Sequence, residues 1–185
     1  MGAWGVTARQ SDYGLDMLAL IVEKYLKPID FNHFDVKGIM DFCKNHIIEG
    51  IKKEEEAYLG EDEDVQEYID VNLPDRYNTV ICLVAESLTE YAKNGLFVIF
   101  DYEANTERYI TKFIYTDSVL KELLRALRKM FNPKSWIYRS WFDEDTRQEW
   151  ISHMKMLCNS IEGLRSQAAA ESTENLKKPI RGRQP

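Results

Sequence analysis

Three features of this sequence predict a mainly α chain of the α+β class, with about five helices packed with one β-hairpin in a single domain. Apolar residues recur at helical spacing in separate stretches along the chain. One region alone, residues 96–102 followed by 108–115, has the aromatic and β-branched character of paired strands. With 185 residues, 44% hydrophobic and 12% aromatic, the chain can bury one core but is too short for two large domains.

The first ten residues, Gly-rich around Trp4, read as an extended or turning lead-in. Ser11 or Asp12 caps a helix with Leu15, Leu18, Val22 and Leu26 on its apolar face, and Pro28 ends it. Asp35 caps a second helix whose apolar side is Ile39, Phe42, Cys43, Ile47 and Ile51. It runs on through 52–58 until Gly60 stops it. Residues 60–64 read as a solvated loop and 65–70 as a short helix. Leu73-Pro74-Asp75 marks a boundary, and a third helix over 75–93 buries Val80, Leu83, Val84, Ser87 and Leu88 before Asn94-Gly95 stops it.

The strand at 96–102 turns through Glu103-Ala104-Asn105-Thr106, and 108–115 returns antiparallel. A lone hairpin is marginal in water, so it must pack on the helices. Asp117 caps a fourth helix with Val119, Leu120, Leu123, Leu124, Leu127 and Met130 inward, closed by Asn132-Pro133. Trp136, Tyr138, Trp141 and Phe142 form an aromatic connector. Asp143 then starts a last helix carrying Trp150, Ile151, Met154, Leu157, Cys158 and Ile161. The globular domain covers 1–166, and 167–185, which loses apolar content and ends in Lys177, Lys178, Arg181 and Arg183, reads as a disordered basic tail.

The net charge of −7 is unevenly spread. Ten carboxylates stand between 54 and 75, at Glu54, Glu55, Glu56, Glu61, Asp62, Glu63, Asp64, Glu67, Asp70 and Asp75, with no Lys or Arg among them. Such a block repels itself and must stay solvated or meet a cationic partner. Residues 121–139 are its opposite, with Lys121, Arg125, Arg128, Lys129, Lys134 and Arg139 against Glu122 alone. An acidic balance argues against direct nucleic-acid binding, because phosphate contacts need dense cationic surface. It suits a basic protein surface, including one that itself holds nucleic acid; it also serves solubility.

Cys43, Cys82 and Cys158 are an odd number without a short pairing motif, which suits a reducing compartment. No apolar run reaches the roughly 18 residues a membrane span needs. The N-terminus lacks a cationic segment followed by an apolar one, so the cytoplasm is the expected location.

No motif names a reaction. Cys43 and His46 could share a helical face as two metal ligands, but no second pair has zinc-type spacing. Residues 61–64 lack the alternating ligands and internal Gly of a calcium loop. There is no Gly-flanked nucleophile turn, no phosphate-cradling loop and no dinucleotide fingerprint. Asp143-Glu144-Asp145 reads as helix-start acid that complements the dipole. The expectation is a non-enzymatic protein without metal or cofactor.

The opening Met1-Gly2-Ala3-Trp4-Gly5, followed by Ser11-Asp12 and Asp16 at a helix start, resembles a family of small uncharacterised bacterial proteins. Its members begin M-G-x-W-G and then present an acidic helix start with a buried Trp. Leu18 and its neighbours replace the aromatic expected after Asp16, so the likeness is confined to the N-terminal segment. It implies a bacterial or mobile-element origin and a structural role for Trp4, and carries over no catalytic residue. By type rather than motif, the chain is similar to small acidic inhibitors of mobile elements, the anti-CRISPR and toxin-immunity proteins.

These readings converge on an acidic binding protein that inhibits or neutralises a basic, nucleic-acid-handling protein such as a CRISPR nuclease. Its expected contact is Glu54, Glu55, Glu56, Glu61, Asp62, Glu63, Asp64, Glu67 and Asp70. The alternatives are an immunity protein for a cognate toxin, which uses the same physics, and, ranked below it, an enzyme whose site is not readable from the sequence. The basic stretch 121–139 also offers a complementary surface to a second copy's acids, which makes a homodimer a further expectation.

Overall fold

The computed structural model describes residues 6–58, 65–141 and 143–177. Ser11 caps the first helix: its Oγ accepts from the Gly14 N–H at 3.0 Å. Helix α1 (Asp12–Leu20) passes without a break into a π-helical stretch, Ile21–Leu26, and a last turn, α2 (Lys27–Ile29). Pro28 therefore does not end the helix where expected. In the widened turn the Lys27 N–H reaches back to the Val22 carbonyl. That slack suits a proline, which has no N–H to give and whose ring crowds the turn before it. Leu15, expected on the apolar face, is 41% exposed; the buried side follows Gly14, Met17, Ile21, Val22 and Leu26 instead.

A three-residue strand that the sequence does not announce, β1 (His33–Asp35), comes next and pairs in parallel with β4 (Lys112–Ile114). Asp35 caps α3 (Val36–Tyr58), its Oδ1 accepting from the Gly38 N–H at 3.2 Å. Ile39, Cys43, Ile47 and Ile51 are buried as expected, and Phe42 is partly so. Helix α4 (Val65–Asn94) runs straight through Pro74, where a boundary was expected. Pro74 lacks one helical hydrogen bond, but Ile69 ahead of it is buried and α3 packs alongside, so tertiary contact overrides the local break. Val80, Leu83, Val84, Ser87 and Leu88 are all buried. Gly95 ends the helix at φ +74, a conformation that favours glycine, with its N–H on the Tyr91 carbonyl at 2.8 Å.

The hairpin forms from β2 (Phe97–Asp101) and β3 (Thr106–Ile110), antiparallel, with Phe97 opposite Ile110 and Asp101 opposite Thr106. The return strand expected over 108–115 is divided: β3 stops at Ile110, and β4 leaves it for β1. Aromatic packing explains the departure. Phe113 of β4 stacks on Phe34 and on Tyr91 at 4.6 Å each, with Phe97 edge-on at 6.2 Å.

Helix α5 (Asp117–Met130) buries all six residues its spacing marks. Its cap is Thr116, whose Oγ1 accepts from the Val119 N–H at 3.3 Å, while Asp117 turns to Lys121 and Arg165. The aromatic connector contains a short helix, α6 (Trp136–Ser140). Asp143 caps α7 (Glu144–Lys177), its Oδ2 accepting from the Thr146 N–H at 2.7 Å. Trp150, Ile151, Met154, Leu157, Cys158 and Ile161 are buried, and the Trp141 and Trp150 rings lie 5.7 Å apart.

The helix continues past Ser166, where a disordered tail is expected, as far as Lys177. The run Ala168-Ala169-Ala170 is the strongest helix-forming stretch in that segment. Trp4, Phe142, the loop at 60–64 and residues 178–185 lie outside the described residues. The result is a mainly α structure of the α+β class in which α4 is the axis, touching α1, α3, α5, α7 and β2.

Candidate functional site

Helices α3 and α4 form the most extensive helix pair, and the short connection between them places the end of α3 beside the start of α4. Of the expected acidic contact, the described side chains are Glu54 at the end of α3 and Glu67 and Asp70 at the start of α4. Glu54 is not free there. Arg76 donates from Nη1 to Oε1 at 2.8 Å and from Nη2 to Oε2 at 2.6 Å, a bidentate fork that joins the two helices. The same guanidinium holds the Glu54 carboxyl below the usual carboxylate range. Glu67 and Asp70 are exposed on the first turns of α4, and Glu67 also complements the helix dipole.

Glu55 and Glu56 lie on the last turns of α3, with side chains outside the described residues, and Glu61, Asp62, Glu63 and Asp64 fall outside them altogether. Asp75 is partly buried, and that burial pushes its carboxyl up. Lys52 and Lys53 stand exposed just before the block and temper its field.

The basic stretch is partly neutralised at home. Lys121 pairs with Asp117, and Arg128 of α5 meets Glu162 of α7. Arg165 also reaches Asp117, at 2.7 Å. Arg125, Lys129 and Lys134 remain exposed.

A second constellation escaped the sequence reading. Glu86 of α4 is 8% exposed and collects three partners. Its Oε1 accepts from the Ala8 N–H at 2.8 Å and lies 3.0 Å from His153 Nε2, while Oε2 accepts from the Arg9 N–H at 3.4 Å. The carboxylate thus locks a 3-10 turn, Ala8–Gln10, against α4 and α7. One signal was available: Glu86 is the one charged residue in the stretch 80–88.

Cys82 sits one turn before Glu86, which brings Cys, His and Glu into one region of the fold. The geometry is not that of an activated nucleophile. Cys82 Sγ faces Met154 Sδ at 3.9 Å and Met130 Sδ at 4.0 Å, and burial, reinforced by Glu86, pushes its thiol up. Cys43 is fully buried and its thiol is pushed up to about 12 by burial, while His46 stacks on Phe42. Among the described residues no group of three or more His, Cys, Asp or Glu is placed to hold a metal ion.

A third cluster fastens the hairpin to the helical rod. Asp101 is fully buried and accepts from the Ala104 N–H at 3.1 Å. Lys27 and Arg108 flank it at 3.4 and 3.5 Å, and Lys27 also meets Glu103. Arg108 lies over the Phe31 ring at 5.2 Å. Among the described residues no helix is long and apolar enough to cross a membrane. Comparison of the chain with protein-family models, curated proteins and solved structures finds no match in any of the three.

Proposed function

We propose that this chain is a non-enzymatic acidic binding protein that inhibits or neutralises a basic, nucleic-acid-handling protein such as a CRISPR nuclease. The observation that carries the reading is the run of ten carboxylates over 54–75 with no Lys or Arg among them. The ten acids of 54–75 are close in sequence, and the Glu54–Arg76 fork draws the end of α3 against α4. Arg76 is the first cation after the block. Solvated acids so arranged raise the encounter rate with a cationic groove and make binding fall with salt. Carboxylates along a helix and loop present negative charge as a phosphate backbone does, so a surface built for nucleic acid is the fitting partner.

The test is capture by the immobilised full chain from nuclease-treated lysate, beside a variant with Glu61, Asp62, Glu63 and Asp64 all changed to Lys. The reading expects one dominant basic protein that survives nuclease, elutes with salt and is lost from the variant, whose Tm stays within a few degrees. Equal capture by both proteins would sink it.

A further inference from the structure

The β2–β3 ladder has two outer edges, and the protein treats them differently. The Val98 carbonyl on β2 accepts from Arg9 Nη2 at 3.2 Å, so Val98 turns its polar groups away from β3. Residues of an antiparallel pair alternate between hydrogen-bonded and non-hydrogen-bonded positions. The pairs 97–110, 99–108 and 101–106 are then the hydrogen-bonded ones. It follows that Glu107 and Tyr109 of β3 point their N–H and C=O groups to the far side. Among the described residues no backbone group meets them there; the Thr106 hydroxyl reaches the Glu107 carbonyl at a long 3.5 Å.

Residues 106–109 are all exposed, and the outward face of the hairpin shows Phe100 and Tyr109, with Tyr102 beside them. Monomeric proteins blunt such an edge with charged side chains, lysine above all, with proline or with a bulge. Thr106–Ile110 has no lysine, proline or bulge, and its two charges, Glu107 and Arg108, are engaged within the hairpin by Tyr109 and Asp101.

We propose that β3 pairs antiparallel with β3 of a second copy, across a two-fold axis at Arg108, to make a four-stranded sheet. The phase of the free backbone groups sets the register. With the axis at Arg108, Glu107 of one copy stands opposite Tyr109 of the other, and each such pair exchanges both of its backbone hydrogen bonds.

The side chains fit that register. The Tyr109 hydroxyl already donates to Glu107 Oε2 of its own strand at 3.0 Å, and pairing brings the second copy's carboxylate opposite the same ring. Arg108 meets its own copy across the axis, but each guanidinium is held back by Asp101 and by the Phe31 ring. Two added strands also give the hairpin the width that a lone two-stranded ladder lacks. This contact is distinct from the acidic block and stands or falls without it.

Sedimentation velocity on the full chain, from low to high micromolar concentration, should show a monomer–dimer equilibrium. Tyr109→Pro removes an N–H that the β2 ladder does not use, so it should weaken the dimer at least about tenfold with helicity retained. Arg108→Cys places a thiol on the axis, where facing Cα atoms of a non-hydrogen-bonded pair are about 4.5 Å apart, within reach of a disulfide. Mild oxidation should cross-link Arg108→Cys into a dimer and leave Glu103→Cys, at the hairpin tip, monomeric.

A chain that stays monomeric throughout, or a dimer indifferent to Tyr109→Pro, overturns the proposal. So does cross-linking no better at 108 than at 103. A monomer whose β3 amides gain exchange protection only when another protein is added would assign the edge to a foreign strand and overturn self-pairing.

Discussion

Glu86→Ala should be among the most damaging single changes in this fold. Glu86 is 8% exposed and is the acceptor for the Ala8 N–H at 2.8 Å and the partner of His153 Nε2 at 3.0 Å. Removing it leaves the buried Ala8 N–H and the part-buried His153 Nε2 unmatched, at about 1–3 kcal/mol each. The Arg9 N–H, at 3.4 Å, is long and adds little. The expected loss is about 2–4 kcal/mol, the two groups taken together with the part-buried one at the low end.

Glu86→Gln keeps the volume and one acceptor and should lose about 1–2 kcal/mol. A cycle with His153→Ala should return a coupling of about 1–2 kcal/mol. Urea unfolding followed by far-UV circular dichroism measures all three, and a faster amide exchange at Ala8 locates the damage. A loss below about 0.5 kcal/mol in Glu86→Ala, within the scatter of ordinary surface changes, would refute the idea that this carboxylate locks the N-terminal turn.

Two further outcomes follow from the same geometry. A Cβ at Gly14 would stand 1.9 Å from the Ala8 carbonyl oxygen, which is backbone and cannot rotate away, so Gly14→Ala should lower stability by about 1–3 kcal/mol in the same urea assay; an unchanged midpoint would show that the turn does not rest on α1. The Ala104 N–H, with Lys27 and Arg108, holds the Asp101 carboxyl below the usual carboxylate range. A carboxylate depressed in the folded state contributes stability above its unfolded value of about 4 and loses it as pH falls through the folded one. Amide exchange in β2 and β3 should therefore accelerate below about pH 4, and Asp101→Asn should flatten that step; an identical acid profile in the variant would exclude Asp101 as its source.

Much of the fold was legible because its signals are local. The stripe of α5 and the stop at Gly95 depend on residues within a turn or two of each other. The misread points are those where a distant contact overrules a local rule. Pro28 and Pro74 should break helices, yet a π-helical turn accommodates one and packing along α3 holds the other. Strands β1 and β4 are three residues each and pair His33 with Lys112, far apart in the chain, so neither carries a pattern that its own neighbours could reveal. Thr116 displaced Asp117 as cap because Asp117 has two cations to satisfy.

The carboxylates show why the site was harder to read than the fold. In sequence Glu54, Glu67 and Glu86 are the same residue type, and the block around the first two drew attention by number alone. The structure separates them by environment: Glu54 joins two helices, Glu67 is exposed to solvent, and Glu86 is buried on partners that lie 67 and 78 positions away in the chain. Salt tells these roles apart. Exposed charges are screened beyond a Debye length of about 8–10 Å at physiological ionic strength, whereas a buried carboxylate held by amides is hardly touched. An interface made by the acidic block must therefore weaken with salt under conditions where the lock at Glu86, and the fold it maintains, do not.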